Sequence, residues 1–242
     1  VAFVSRGFVT NYTSTRNGLT AGSVTLVDPV NIERLEVIKG PSSTLFGSSV
    51  ISYGGLVNIV TKQPFDTYKG EVSYSGGSFG FNRLTADIYT PLNDDKTAMF
   101  RVNAAGEWQN GFQDYGKENL VNVAPSLLYN VNKKLTLRLD AEFFSTSRPV
   151  ILYAPWGGAG VSNWSELHID PRHSFINEGF NSRQTTSNVF ARADYKISEQ
   201  WTSQTNYAYT SGNNHTQYMF LNIEPYTTGG HYVARENYDV MG

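Results

Sequence analysis

From Tyr68 onward, apolar and polar residues alternate with period two, in runs that persist for roughly ten residues. Successive side chains of a strand point to opposite sides, so such alternation marks a strand with one face in an apolar environment and the other in a polar one. The clearest run sets Leu135, Leu137, Leu139, Ala141 and Phe143 against Thr136, Arg138, Asp140 and Glu142. Before it, Tyr68, Gly70, Val72 and Tyr74 alternate with Lys69, Glu71, Ser73 and Ser75. Leu84, Ala86 and Ile88 alternate with Arg83, Thr85 and Asp87. Phe100, Val102 and Ala104 face away from Arg101 and Asn103, and Val121, Val123 and Leu127 from Asn122 and Ser126. Two runs follow, one built on Val189, Ala191, Ala193 and Tyr195 and the other on Thr205, Tyr207 and Tyr209. A weaker eighth run lies near His231 to Asp239.

Two architectures alternate in this way: a soluble antiparallel sandwich and a transmembrane barrel. Sandwich strands average about 5–6 residues, whereas about ten are needed to cross a bilayer at a tilt. The polar faces also carry Arg, Asp, Glu or Lys on run after run, as the wall of a wet lumen would. No apolar stretch approaches 18 residues and the mean hydropathy is −0.35, which excludes a transmembrane helix but not a barrel. Connectors divide into two kinds. Asn93–Lys96, Asn130–Lys134 and Ser198–Gln200 are tight polar turns, while Gln109–Lys117 and Pro149–Arg183 are long. Short turns at one end and long loops at the other belong to an outer-membrane barrel, with Tyr68, Trp108, Tyr129 and Trp201 placed for interfacial girdles. Pro125 interrupts its run by removing a ladder donor, and a bulge or local irregularity is expected there.

The formal net charge of −2 provides no basic face for nucleic acid. The absence of cysteine excludes disulfides and thiolate metal sites. The chain opens on "VAFVSRGF", without an initiator Met or a signal segment, and reads as internal to a longer protein. His168, Asp170 and His173 in "HIDPRH" invite a metal reading, but a Pro within an exposed loop makes solvated histidines the better one. Neither a Ser/His/Asp arrangement nor a paired carboxylate stands out, so the chain reads as a non-enzyme with no resident cofactor or metal.

The segment before Tyr68 is different in kind. "RGF" (Arg6–Phe8), "NGL" (Asn17–Leu19), "DPVNIERLEVIKGPSSTLFG" (Asp28–Gly47) and "GGLVNIVTKQP" (Gly54–Pro64) resemble, in order and spacing, the plug of TonB-dependent outer-membrane receptors. The likeness is strongest to siderophore receptors of the ferrichrome type. It continues through "GSFGFNR" and "NVAPSLLYN" and covers essentially the whole chain.

The resemblance implies an all-β-dominated chain: part of a transmembrane antiparallel barrel of about 22 strands whose lumen holds an N-terminal plug with a small mixed sheet. Residues 1–65 would be the C-terminal portion of the plug, and 66–242 the first seven or eight barrel strands with extracellular loops. A TonB box upstream and about fourteen further strands downstream would complete the receptor, since an open barrel edge is not viable in lipid. The implied function is import of a ferric siderophore across the outer membrane of a Gram-negative bacterium. TonB and its inner-membrane energising complex would be the partners, outer-membrane lipid the surroundings, and the plug the gate. Ligand contacts would come from Arg6, Tyr12, Arg16 and Asn17 near the plug apex and from Tyr153 and Trp156 in the longest loop. On the plug, Glu33, Arg34, Glu36 and Lys39 would pair with wall residues such as Arg83, Asp87, Arg101, Glu107, Arg138 and Asp140. Two alternatives stay open: an importer of cobalamin, haem or glycan, and a structural or adhesive barrel protein.

Overall fold

The computed structural model describes residues 4–5, 8–9, 14–19, 27–38, 55–150, 170–174, 180–225 and 232–241. Within them the chain is almost entirely strand, and no helix is long and apolar enough to cross a membrane. Two short strands, β1 (Val4–Ser5) and β2 (Phe8–Val9), pair antiparallel. A three-stranded mixed sheet follows, built from β3 (Ser14–Arg16), β4 (Ile32–Ile38) and β5 (Leu56–Thr61) in the order β3-β5-β4. β5 is central, parallel to β3 and antiparallel to β4, and its Leu56 and Val57 are buried.

The remaining strands form one eight-stranded antiparallel meander in chain order. They are β6 (Lys69–Gly77), β7 (Phe81–Pro91), β8 (Ala98–Gln109), β9 (Glu118–Asn132), β10 (Leu135–Pro149), β11 (Asn181–Lys196), β12 (Thr202–Pro225) and β13 (Tyr232–Met241). The β10–β11 ladder runs without a slip from Leu135↔Tyr195 to Pro149↔Asn181. That length suits a wall with one committed face, because a slip of one residue would turn every side chain to the wrong side. Leu84, Val121, Leu139, Phe143, Tyr195 and Tyr207 point outward and are exposed. On the opposite face Asn103, Asn122, Glu142 and Asn188 are closed to solvent, as are Phe144 and Phe190. Apolar outside and polar inside is the pattern of a barrel wall in lipid.

The turns at Asn93–Lys96, Asn130–Lys134 and Ser198–Gln200 are each closed by one polar side chain acting on the backbone, the mechanism that favours Asn and Ser in turns. Asn93 Oδ1 accepts from the amides of Thr97 (3.0 Å) and Ala98 (3.1 Å). Asn132 Oδ1 accepts from Lys134 (2.8 Å) and Leu135 (3.0 Å), and Ser198 Oγ from Gln200 (3.3 Å) and Trp201 (3.2 Å). At the other end, two long connections meet. The Asp114 amide donates to Arg172 O (3.0 Å) and Gln113 Nε2 to Pro171 O (3.2 Å). Gly116 is required in the first of them, since a Cβ there would lie 2.7 Å from Gly111 Cα.

Pro125 does not produce a bulge. It stays in register with Val102 of β8. Toward β10 the ladder passes from Asp140↔Ser126 to Phe143↔Val123, skipping Ala141 and Glu142 without a shift. The missing donor is absorbed as a gap in the ladder rather than as an extra residue. True register shifts occur elsewhere, at Val131 beside the β9–β10 turn and at Glu33 in β4.

Candidate functional site: the seam between the small sheet and the wall

The small sheet is held against the inner face of the wall by charge and amide contacts at three levels. At the first, Asp28 begins a 3-10 turn (Pro29–Asn31) and accepts from the Val30 amide (2.8 Å), as an N-cap carboxylate does. The same oxygen accepts from Arg83 Nη2 of β7 (2.6 Å), and Arg83 Nη1 donates to Glu107 of β8 (2.7 Å). One carboxylate therefore both caps the turn and fixes it to the wall.

At the second level, Arg101 of β8 forks onto Asp87 of β7, with Nε to Oδ1 at 2.8 Å and Nη2 to Oδ2 at 2.7 Å. Its remaining nitrogen, Nη1, donates to the backbone carbonyl of Gln63 (2.7 Å), just beyond β5. Lys62 Nζ reaches the same Asp87 (2.8 Å), and Gln63 Nε2 donates to Asp140 of β10 (3.2 Å). The guanidinium also lies 5.0 Å from the Tyr89 ring centre and 5.5 Å from that of Phe65, two rings in edge contact. Oriented by its neighbours, the Asn103 amide nitrogen lies 3.0 Å from Asp87 Oδ1 and 3.2 Å from Val30 O, tying the second level to the first.

At the third, Arg16 of β3 pairs with Glu142 of β10, both sealed from solvent. Glu142 also accepts from Asn31 Nδ2 (3.3 Å) and from Asn188 Nδ2 of β11 (3.4 Å). The Arg16 guanidinium stacks 4.8 Å over the Phe190 ring. A buried ion pair persists only with such added partners, because desolvation otherwise outweighs the Coulombic gain.

These contacts place the sequence-predicted residues as follows. Arg83, Asp87, Arg101, Glu107 and Asp140 face the small sheet. Glu107 pairs with Arg83 within the wall, and the other four meet Asp28, Lys62 and Gln63, which flank the strands, rather than the charges of β4. Glu33 is the extra residue of the β-bulge and is exposed. Arg34 and Glu36, two apart on one face of β4, pair with each other (2.7 Å). Asn58 Nδ2 adds a bond to Glu36 (2.8 Å), and this bond and Arg34 hold its carboxyl below the ordinary range. The pair looks across a cleft of about 270 Å³ toward Arg138 and Asp140 without touching them.

Arg16, expected at a loop tip, is the buried ion-pair partner of Glu142. Asn17, expected beside it, shapes a turn with Gly18. It takes φ 51°, accepts from the Thr61 amide (3.0 Å) and donates to Thr61 Oγ1 (2.8 Å). Arg6, Tyr12, Lys39, Tyr153 and Trp156 lie outside the described residues, as does His168. Asp170 accepts from the Arg172 amide (2.8 Å), which lowers its pKa, and no metal-holding cluster occurs among the described residues. Glu142 was legible only as a member of the polar face of its run. Asp28 carried a signal in the "DPVN" cap pattern.

Residues 2–52 match the TonB-dependent Receptor Plug Domain. The metal-pseudopaline receptor of Pseudomonas aeruginosa is 31% identical over 182 residues, which cover 74% of this chain and 25% of that protein. The chain belongs to the TonB-dependent receptors. The ferrioxamine receptor of Yersinia enterocolitica is 27% identical over 206 residues, covering 82% of this chain and 27% of its own length. The chain thus spans about a quarter of the curated relatives it matches. Among solved structures, the closed form of a ferric-catecholate import receptor from Escherichia coli K12 superposes with a TM-score of 0.80 at 22% identity. The match covers 98% of this chain and 35% of that one, a likeness of fold. In this TonB-dependent receptor, then, the small sheet belongs to the plug and the meander to an outer-membrane barrel.

Proposed function

We propose that the receptor carrying this chain binds a ferric siderophore on its long-loop side and admits it when TonB draws on the plug. The observation that carries the reading is the seam. The plug sheet meets the wall through ion pairs, amides and guanidinium groups stacked on rings, while the wall's apolar face is turned to lipid. A plug seated on polar contacts can shift in a wet lumen and exchange them for water, whereas an apolar seam would resist. The relatives named for ferrioxamine, ferripyoverdine and catecholate siderophores support this class of cargo. In this reading Arg6 and Tyr12 of the plug and Tyr153 and Trp156 of the longest loop are the ligand contacts, TonB is the partner, and no catalytic step belongs to the chain. The metal-pseudopaline relative favours one second reading, a cargo of another metal-loaded small chelator.

The experiment is uptake of radiolabelled ferrioxamine, a ferric catecholate and metal-loaded pseudopaline by cells expressing the complete receptor, with and without functional TonB. TonB-dependent accumulation of a ferric chelate, weakened by Trp156→Ala, is expected. Accumulation of the pseudopaline complex alone selects the second reading, and uptake indifferent to TonB overturns both.

A further inference from the structure

The lipid-facing side of the wall is not evenly studded. Along β11 its outward positions between Val189 and Tyr195 are the small residues Ala191 and Ala193, which stand opposite Leu139 and Leu137 of β10. Tyr129 of β9 lies beyond Leu137, and Tyr207 of β12 flanks Ala191 on the other side. Small side chains in the middle and large ones at both ends hollow a groove of about 360 Å³ whose surface is nearly all carbon.

The short-turn rim lies close by, and its charge is distinctive. Leu137 is three residues from Lys134, roughly 10 Å along the strand. Lys133 and Lys134 are both exposed in the β9–β10 turn. The Lys196 amide donates to Lys134 O (2.8 Å), so the ends of β9–β10 and β11–β12 stand side by side. Glu199, in the second turn, is engaged by Lys196 Nζ (3.0 Å), and the two turns together retain an excess of positive charge. Tyr195 and Trp201, both exposed, mark the headgroup level on this rim.

We infer that this groove holds an acyl chain of an anionic phospholipid whose phosphate rests over Lys133 and Lys134. Shape selects a single chain, since a flat sheet would offer it contact on one side only. The cationic rim selects the headgroup, as basic residues at a membrane surface do. The rim lies at the end opposite the long loops, so the lipid is a phospholipid of that leaflet and not a lipopolysaccharide.

The test is native mass spectrometry of the complete receptor after exchange into mixed micelles with equal phosphatidylglycerol and phosphatidylethanolamine. Two variants are compared with wild type: Ala191→Leu/Ala193→Leu, which fills the groove, and Lys133→Gln/Lys134→Gln, which alters only exposed rim positions. Wild type should retain one phosphatidylglycerol in preference to phosphatidylethanolamine, and each variant should reduce that retention about five-fold or more. Should the filled groove impair assembly, the lysine variant decides alone. Equal retention of both lipids, retention unchanged by the lysine variant, or recovery of lipopolysaccharide as the tightly held lipid from native membranes would overturn the assignment.

Discussion

Arg16 and Glu142 stand 126 residues apart in the chain and form an ion pair closed to solvent, joining the plug's β3 to the barrel's β10. Removing one partner strands the other charge in a dry site, which costs about 3–5 kcal/mol. Glu142→Ala should therefore loosen the plug strongly, and Arg16→Met/Glu142→Leu should regain most of the loss, because no uncompensated charge remains. Denaturant unfolding of the plug in the micelle-embedded receptor measures both. A double variant as unstable as the sum of its singles would show that packing, not the stranded charge, sets the cost.

Asn17 and Gly18 turn the chain with φ of 51° and 79°. A Cβ at Gly18 meets nothing within 4 Å, so Gly18→Ala suffers only from its backbone conformation, about 1–2 kcal/mol. Asn17→Ala loses the same left-handed tolerance and also its bonds to Thr61, and should cost more. The order of the two midpoints in plug unfolding is the check, and a larger loss at Gly18 would contradict it.

The wall was readable from the sequence because two environments, lipid and wet lumen, act on alternate residues of every strand. The seam was readable only by half. Arg83, Asp87 and Arg101 stand out as charges on strand faces, and after pairing across β7 and β8 each still has a bond to make with the plug. Which plug residues meet them depends on tertiary geometry. Lys62 and Gln63 reach the wall because β5 ends there, and Asp28 because its turn is capped beside β7. Arg34 and Glu36 are two apart on one strand face and satisfy each other first, while Glu33 is consumed by a bulge. The Arg16–Glu142 pair left still less trace, since its partners lie on strands distant in sequence. Arg16 also adjoins an Asn-Gly turn that reads as an exposed tip.

The two faces of the wall should respond oppositely to charge. Phe143 points to lipid near the middle of β10, so Phe143→Arg should cost about 2–4 kcal/mol. Ser73, on the lumen face of β6 opposite Thr85, should accept Lys with little effect. Urea titration of the folded barrel in liposomes reads both, and a tolerated Phe143→Arg would place that position away from the hydrocarbon.

Glu36 gives the plug a pH dependence of its own. The Asn58 amide, and after it Arg34 (Nε to Oε1, 2.9 Å), hold its carboxyl below the ordinary 4.5. A carboxyl with a lowered folded-state pKa binds its proton more readily when unfolded. Its contribution to stability is therefore complete above about 4.5 and disappears as pH falls through the folded value. Glu36→Gln keeps the shape and removes the titration. The stability gap between wild-type plug and this variant should hold from pH 7 to pH 5 and shrink as the pH is taken below 4.5. Both groups of the Arg34–Glu36 pair are substantially exposed, so added salt should narrow the gap at neutral pH as well. Plug unfolding measured at these pH values, in low and high salt, separates the contributions. A gap that salt narrows but acid leaves unchanged would assign the effect to Arg34's charge alone and remove Glu36's titration from the account.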